Sequence, residues 1–185
     1  MTTRISELLT AAAERTVPVV RGIDDEQLSE PTPCTEFQVR DLLNHLFLVV
    51  VNFQALATKG EADFGAKPNF LEGDWRGRFA DETRRLVEAW SEPAALEGTS
   101  PRFGLPQAAV ANLVLVDLTV HGWDLSRGTG QAYTPSPEVV AVVTPFTERM
   151  APLARERGTF AAMTDFPPDA DEFTRLLSFT GRTAG

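Results

Sequence analysis

The sequence predicts an all-α protein, and three observations support this prediction. Apolar residues recur every three or four positions along most of the chain, whereas the alternation of a half-buried strand is nearly absent. The periodic stretches end at segments that contain proline and glycine, which break helices. Four of the stretches are long, and a long connection follows the second. We therefore expect a four-helix bundle with additional C-terminal helices, in one domain that spans residues 1–185.

The first part of the chain predicts two helices. The first covers about residues 5–21, and Pro18 near its end should kink or terminate it. The second should begin after Thr35, because Thr35 and Gln38 have the spacing of a capping box. It then runs through LLNHLFLVVVNFQALA, residues 42–57, with apolar residues on most of its sides. A helix of this kind is buried on most sides.

The rest of the chain predicts a long crossover and four further helices. The crossover, about residues 59–70, is rich in glycine, proline and small residues. The helices are expected at about residues 71–90, 106–127, 137–155 and 169–177. Glycines after residue 127 provide the stop signal for the fourth helix of the bundle.

Composition narrows the class of partner and the compartment. The formal charge of −9 argues against a nucleic-acid partner, which is bound through clustered lysine and arginine. A single cysteine, Cys34, excludes an internal disulfide framework and fits a reducing compartment. The longest unbroken apolar run, residues 46–51, is far shorter than the roughly 20 residues that cross a bilayer. We expect a cytoplasmic protein with no membrane and no nucleic-acid partner.

The predicted fourth helix carries polar groups on a face that should point to the core. With Asp117 at 0°, His121 lies at about 40° and Asp124 at about 340° on the helical wheel. Val110 and Val114 share this face. Buried charges are costly unless they are paired, hydrogen-bonded or bound to a metal. Asp117 and His121, one turn apart, are therefore candidate metal ligands.

His45, on the second helix, is the other histidine of the chain. If the second and fourth helices are neighbours, His45 completes a three-ligand site. Two imidazoles and one carboxylate suit zinc, nickel, iron or cobalt, and they leave positions open for water or substrate. Two alternatives stay open at this point: a hydrogen-bonded core histidine, and a simple ion pair between Asp117 and His121 on the helix surface.

Two nearby residues have less defined roles. Asp124 is expected either to orient a ligating histidine or to form a helix cap or interhelical hydrogen bond. Cys34 is expected to be a small buried side chain rather than a reactive thiol.

Two segments, PTPCTEFQVRDLLNHL (residues 31–46) and DLTVHGWDLSRGTGQ (residues 117–131), together with the ending LLSFTGR (residues 176–182), resemble a known family. It is the mycothiol-dependent maleylpyruvate isomerase N-terminal family, part of the DinB-like metal-binding bundles. The resemblance implies a DinB-like four-helix bundle. It also implies that His45, Asp117 and His121 are the metal ligands.

The resemblance further implies an enzyme that uses a metal and a thiol. The expected function is a metal-assisted, thiol-dependent transferase or isomerase that acts on a small electrophile. Zinc is the expected metal, with nickel, iron and cobalt as alternatives, and mycothiol or another low-molecular-weight thiol is the expected co-substrate. The expected partners are thus a small-molecule substrate or a thiol. The sequence leaves open whether the chain forms a homodimer.

Two other functions remain open. One is a non-catalytic bundle that binds a metal or a small ligand, and the other is a metal-dependent hydrolase. The sequence contains no G-x-S-x-G, no G-x-G-x-x-G, no P-loop and no H-E-x-x-H motif, so a serine hydrolase or a nucleotide-binding protein has no support.

Overall fold

The computed structural model describes residues 2–184, and this range contains six α-helices and no strand. The helices are α1 (Arg4–Arg21), α2 (Val39–Ala57), α3 (Trp75–Ser91), α4 (Gln107–Gly128), α5 (Pro137–Glu156) and α6 (Glu172–Phe179). Short 3-10 helices occupy Asp25–Ser29 and Pro93–Leu96. The prediction of an all-α protein is confirmed.

The chain forms two compact units, one that ends at Thr134 and one that begins at Pro135. In the first unit, α1 and α2 each pack against both α3 and α4, so that the four helices form a closed ring. Each helix contributes fully buried side chains to a common core, among them Leu9, Leu43, Leu86 and Val114. The predicted contact between the second and fourth helices is confirmed. The expectation of a single domain over residues 1–185 stays a prediction.

The second unit contains α5 and α6, which pack against each other. The Thr144 hydroxyl of α5 donates to the Glu172 carbonyl at the start of α6 over 3.2 Å. The Asp171 carboxylate accepts from the Thr174 backbone N–H at 2.7 Å and so caps α6.

Helix α2 begins later than predicted. Its N-cap is Gln38, and the Asp41 carboxylate accepts a hydrogen bond of 3.1 Å from the Gln38 backbone N–H. The predicted capping box of Thr35 and Gln38 is therefore wrong. Thr35 instead lies in a turn that is closed by a 2.8 Å hydrogen bond from the Phe37 N–H to the Cys34 carbonyl.

One other helix boundary also differs from the prediction. Helix α3 begins at Trp75 rather than near residue 71, because Gly73 adopts a positive φ of 59° and Asp74 caps the helix. The predicted end of the first helix at residue 21 is confirmed, so Pro18 does not terminate α1. Helix α1 closes with hydrogen bonds from the Gly22 N–H to the carbonyls of Pro18 and Val19.

Two asparagines of α2 hold the long crossover that connects α2 to α3. The Asn52 side chain forms two hydrogen bonds of 3.0 Å with the backbone of Asp63. The Asn44 side-chain oxygen accepts from the Phe70 N–H at 2.7 Å. The crossover is thereby tied to the same helix that carries His45.

Helix α4 approaches α1 closely at Gly122. A Cβ atom on Gly122 would lie 2.6 Å from the Thr16 hydroxyl oxygen and 3.1 Å from a ring carbon of Tyr133. The Thr16 hydroxyl donates to the Leu118 carbonyl of α4 at 2.9 Å. Burial raises the pKa of the Tyr133 phenol to about 12, so the phenol stays neutral in this contact. This close approach holds α4 against α1 at the residue next to His121.

Helix α4 is also long and apolar enough to cross a membrane, judged by length and composition alone. However, 72% of its apolar window is buried inside the protein, which is the pattern of a core helix.

We predict that Gly122→Ala lowers the free energy of unfolding by about 1–3 kcal/mol, because the added methyl group overpacks the contact with Thr16 and Tyr133. Thermal denaturation followed by circular dichroism measures the change. Gly65→Ala is the matched control, because its Cβ would find its nearest neighbour at 3.4 Å. Equal melting temperatures for the two variants would contradict this account of the helix contact.

Candidate metal centre

Two successive turns of α4 place two carboxylates around the imidazole of His121. The His121 Nε2 atom lies 3.6 Å from Asp117 Oδ1, and the Nδ1 atom lies 3.0 Å from Asp124 Oδ2. Asp124 is fully buried and His121 is 8% exposed, whereas Asp117 is half-buried. The predicted face of α4 is therefore present, and its polar groups contact one another.

Helix α2 brings His45 to the same place. The rings of His45 and His121 have their centroids 5.1 Å apart and meet edge to face at 87°. One ligand atom from each of His45, Asp117 and His121 lies within 4.8 Å of the other two. The structure thus brings together the three residues that the sequence singles out. That they hold a metal stays a prediction.

The spacing and chemistry of these donors fit a divalent metal. Tetrahedral zinc with ligand bonds of about 2.0–2.2 Å keeps its nitrogen and oxygen donors about 3.4 Å apart. The 3.6 Å between His121 Nε2 and Asp117 Oδ1 is close to that value. A set of two imidazoles and one carboxylate leaves a fourth position open, which is typical of catalytic rather than structural zinc.

Asp124 contacts His121 in the way that orients a metal ligand. A neutral imidazole carries one proton, and a carboxylate at Nδ1 holds that proton there. Nε2, which lies 3.6 Å from Asp117 Oδ1, then carries the free lone pair. This contact favours the alternative in which Asp124 orients a ligating histidine.

The loop that precedes α2, residues 31–38, forms one wall of the site. The Phe37 ring stacks on His45 with centroids 5.5 Å apart and an angle of 28°. The Thr32 hydroxyl lies 3.0 Å from the Cys34 carbonyl and 2.7 Å from the Phe37 carbonyl, and an isolated bridge between Pro31 and Gln38 closes the loop.

The position of Cys34, next to His121 and Asp124, is a feature that the sequence did not predict. It is half-buried rather than buried, and its sulfur lies within 4.8 Å of ligand atoms of His121 and Asp124. A spacing of about ten residues before His45 carries no ligand signal. The only hint is the proline-rich stretch around Cys34, which indicates a rigid loop but not where that loop folds.

A groove of about 440 Å³ lies between α1 and α3, lined by residues such as Ala13, Val17, Ala80 and Val87. None of the residues that line it is His45, Asp117 or His121. Its lining contains no histidine and no cysteine, so the candidate metal ligands lie elsewhere.

The sequence of the chain matches the model of the mycothiol maleylpyruvate isomerase N-terminal domain over residues 9–126, which is more than half of its length. The chain belongs to this family. The matched range includes Cys34, His45, Asp117, His121 and Asp124. Family membership supports the DinB-like bundle that the resemblance implied.

Two relatives are uncharacterized proteins of Mycobacterium tuberculosis, one from strain CDC 1551 / Oshkosh and one from strain H37Rv. Each is 29% identical over 178 residues, which cover 89% of this chain and 90% of the relative. No solved structure matches the chain. The similarity to these relatives therefore extends over most of the chain, but it assigns no activity.

We predict that Asp124→Asn weakens zinc affinity about 10- to 100-fold, because the amide no longer holds the Nδ1 proton of His121 as a carboxylate does. Isothermal titration with zinc measures the affinity. Asp81→Asn, on the exposed side of α3, is the control for loss of one negative charge. Equal affinity in Asp124→Asn and wild type would remove Asp124 from the metal centre.

Proposed function

We propose that this protein binds one divalent metal ion through His45, Asp117 and His121 and uses it for thiol-dependent transfer or isomerisation of a small electrophile. One observation carries the proposal: ligand atoms from two helices converge within 4.8 Å. Zinc is the metal that we expect, and nickel, iron or cobalt would suit the same donors.

The chemistry follows from an open three-ligand site. A divalent ion there would lower the pKa of a bound low-molecular-weight thiol and raise its nucleophilic fraction at neutral pH. His45 and His121 provide neutral nitrogen donors, and Asp117 provides a charged oxygen. Asp124 keeps His121 in the tautomer with a free Nε2 lone pair. The Phe37 ring stacks on one face of His45.

The thiol is proposed from the family. The name of the matching domain refers to mycothiol, and mycothiol or another low-molecular-weight thiol is the co-substrate that we propose. The acidic charge of −9 and the single cysteine favour a cytoplasmic protein with small-molecule partners and no nucleic acid.

The proposal predicts that zinc-loaded protein consumes a thiol in the presence of a model electrophile, and that His45→Ala reduces the rate to that of the uncatalysed reaction. The physical reason is that a three-ligand site has no spare donor to replace the imidazole. Loss of free thiol with a maleyl-type electrophile measures the rate. Asn69→Ala, in the exposed part of the crossover, is the control and should retain the wild-type rate.

The other outcomes identify the rival functions. Zinc binding without thiol consumption would overturn the catalytic part and leave a metal-binding bundle. Ester hydrolysis without thiol would point to a hydrolase. An unchanged rate in His45→Ala would contradict the proposed centre itself.

A further inference from the structure

His121 belongs to two sets of candidate donors, and each of its ring nitrogens faces a different carboxylate. The Nε2 side faces Asp117 at 3.6 Å, with His45 nearby. The Nδ1 side faces Asp124 at 3.0 Å. Cys34 joins the set that contains Asp124, because one ligand atom each of Cys34, His121 and Asp124 lies within 4.8 Å of the other two.

This second set has the composition of a metal site. It offers a thiol, an imidazole and a carboxylate, from the loop of residues 31–38 and from α4. Asp124 is fully buried and His121 is nearly so, whereas Cys34 is half-buried and leaves a route from solvent. The 3.0 Å between Nδ1 and Oδ2 needs to widen by only about 0.4 Å for both atoms to bind one tetrahedral ion.

We infer that Cys34, Asp124 and Nδ1 of His121 form a second metal-binding set, for a thiophilic ion, that competes with the first set for His121. Thiolate donors select soft and borderline metals, whereas a set with two imidazoles and a carboxylate has no such preference. The two sets therefore differ in the ions that they retain.

Competition follows from the proton count of the imidazole. A neutral ring has one lone pair and one proton, so it binds a metal through one nitrogen at a time. When the second set is loaded, the Cys34 thiol releases its proton to solvent. The ring proton moves from Nδ1 to Nε2, where it stays bonded to the ring and faces the Asp117 carboxylate. The lone pair that the first set needs is then absent.

The inference rests on the metal site of the proposed function, because the competition requires the first set, but it does not rest on the thiol chemistry. A thiophilic ion in the second set would remove His121 from the first set and would stop any chemistry there. Metal exchange between the sets would thus act as a switch. The second set exists or fails independently of whether the protein consumes thiols.

Cobalt(II) is the probe that separates the two sets, because a cobalt–thiolate bond gives a near-ultraviolet charge-transfer band. In wild type, one equivalent of cobalt should occupy the first set and give only the visible bands of a nitrogen and oxygen site. His45→Ala should shift cobalt to the second set, so that the thiolate band appears. The double variant His45→Ala/Cys34→Ser should lose it. Cadmium, a more thiophilic ion, should give a thiolate band in wild type.

Three results would overturn the inference. A strong thiolate band in cobalt-loaded wild type that disappears in His45→Ala would make Cys34 a ligand of the first set. Two cobalt ions bound at once would contradict the competition. No thiolate band in either His45→Ala or Asp117→Asn would remove the second set, provided that circular dichroism shows at least one of these variants to be folded. Thiol turnover is not part of this test, so failure of the proposed thiol chemistry leaves it unchanged.

Discussion

The hydrogen bond between His121 and Asp124 lies in the buried stretch of α4, and the arrangement of the site depends on it. A fully buried carboxylate is costly unless a partner compensates for lost water, and the imidazole of His121 provides such a partner. The same contact fixes which nitrogen of His121 carries the proton. Burial in α4 thus sets both the position and the tautomer of the ring that the two proposed donor sets share.

Helix packing brings the remaining donors to this ring. Because α4 packs against both α1 and α2, one side of α4 meets Thr16 and Tyr133 at Gly122, while His45 reaches His121 from α2. Interiors packed at crystal density leave little freedom for helices to slide past one another. The helix contact at Gly122 therefore supports the site.

Much of this arrangement follows from the sequence, and the rest does not for physical reasons. The 3.6-residue period locates the long helices and puts Asp117, His121 and Asp124 on one face of α4. The proximity of His45 needed one added assumption, that the second and fourth helices are neighbours. The predicted start of α2 is wrong, and the place of Cys34 next to His121 was not predicted. Both depend on how the loop of residues 31–38 folds back on itself. Hydrogen bonds of Thr32 and the bridge between Pro31 and Gln38 determine that fold, and no periodic pattern encodes them.

The most direct test of the metal centre is anomalous diffraction at the zinc absorption edge, from crystals of protein that has never contacted a nickel column and is loaded with one equivalent of zinc. The account predicts one anomalous peak within bonding distance, about 2.0–2.2 Å, of His45, Asp117 and His121. A peak elsewhere in the protein, or no peak in zinc-loaded crystals, would contradict the account.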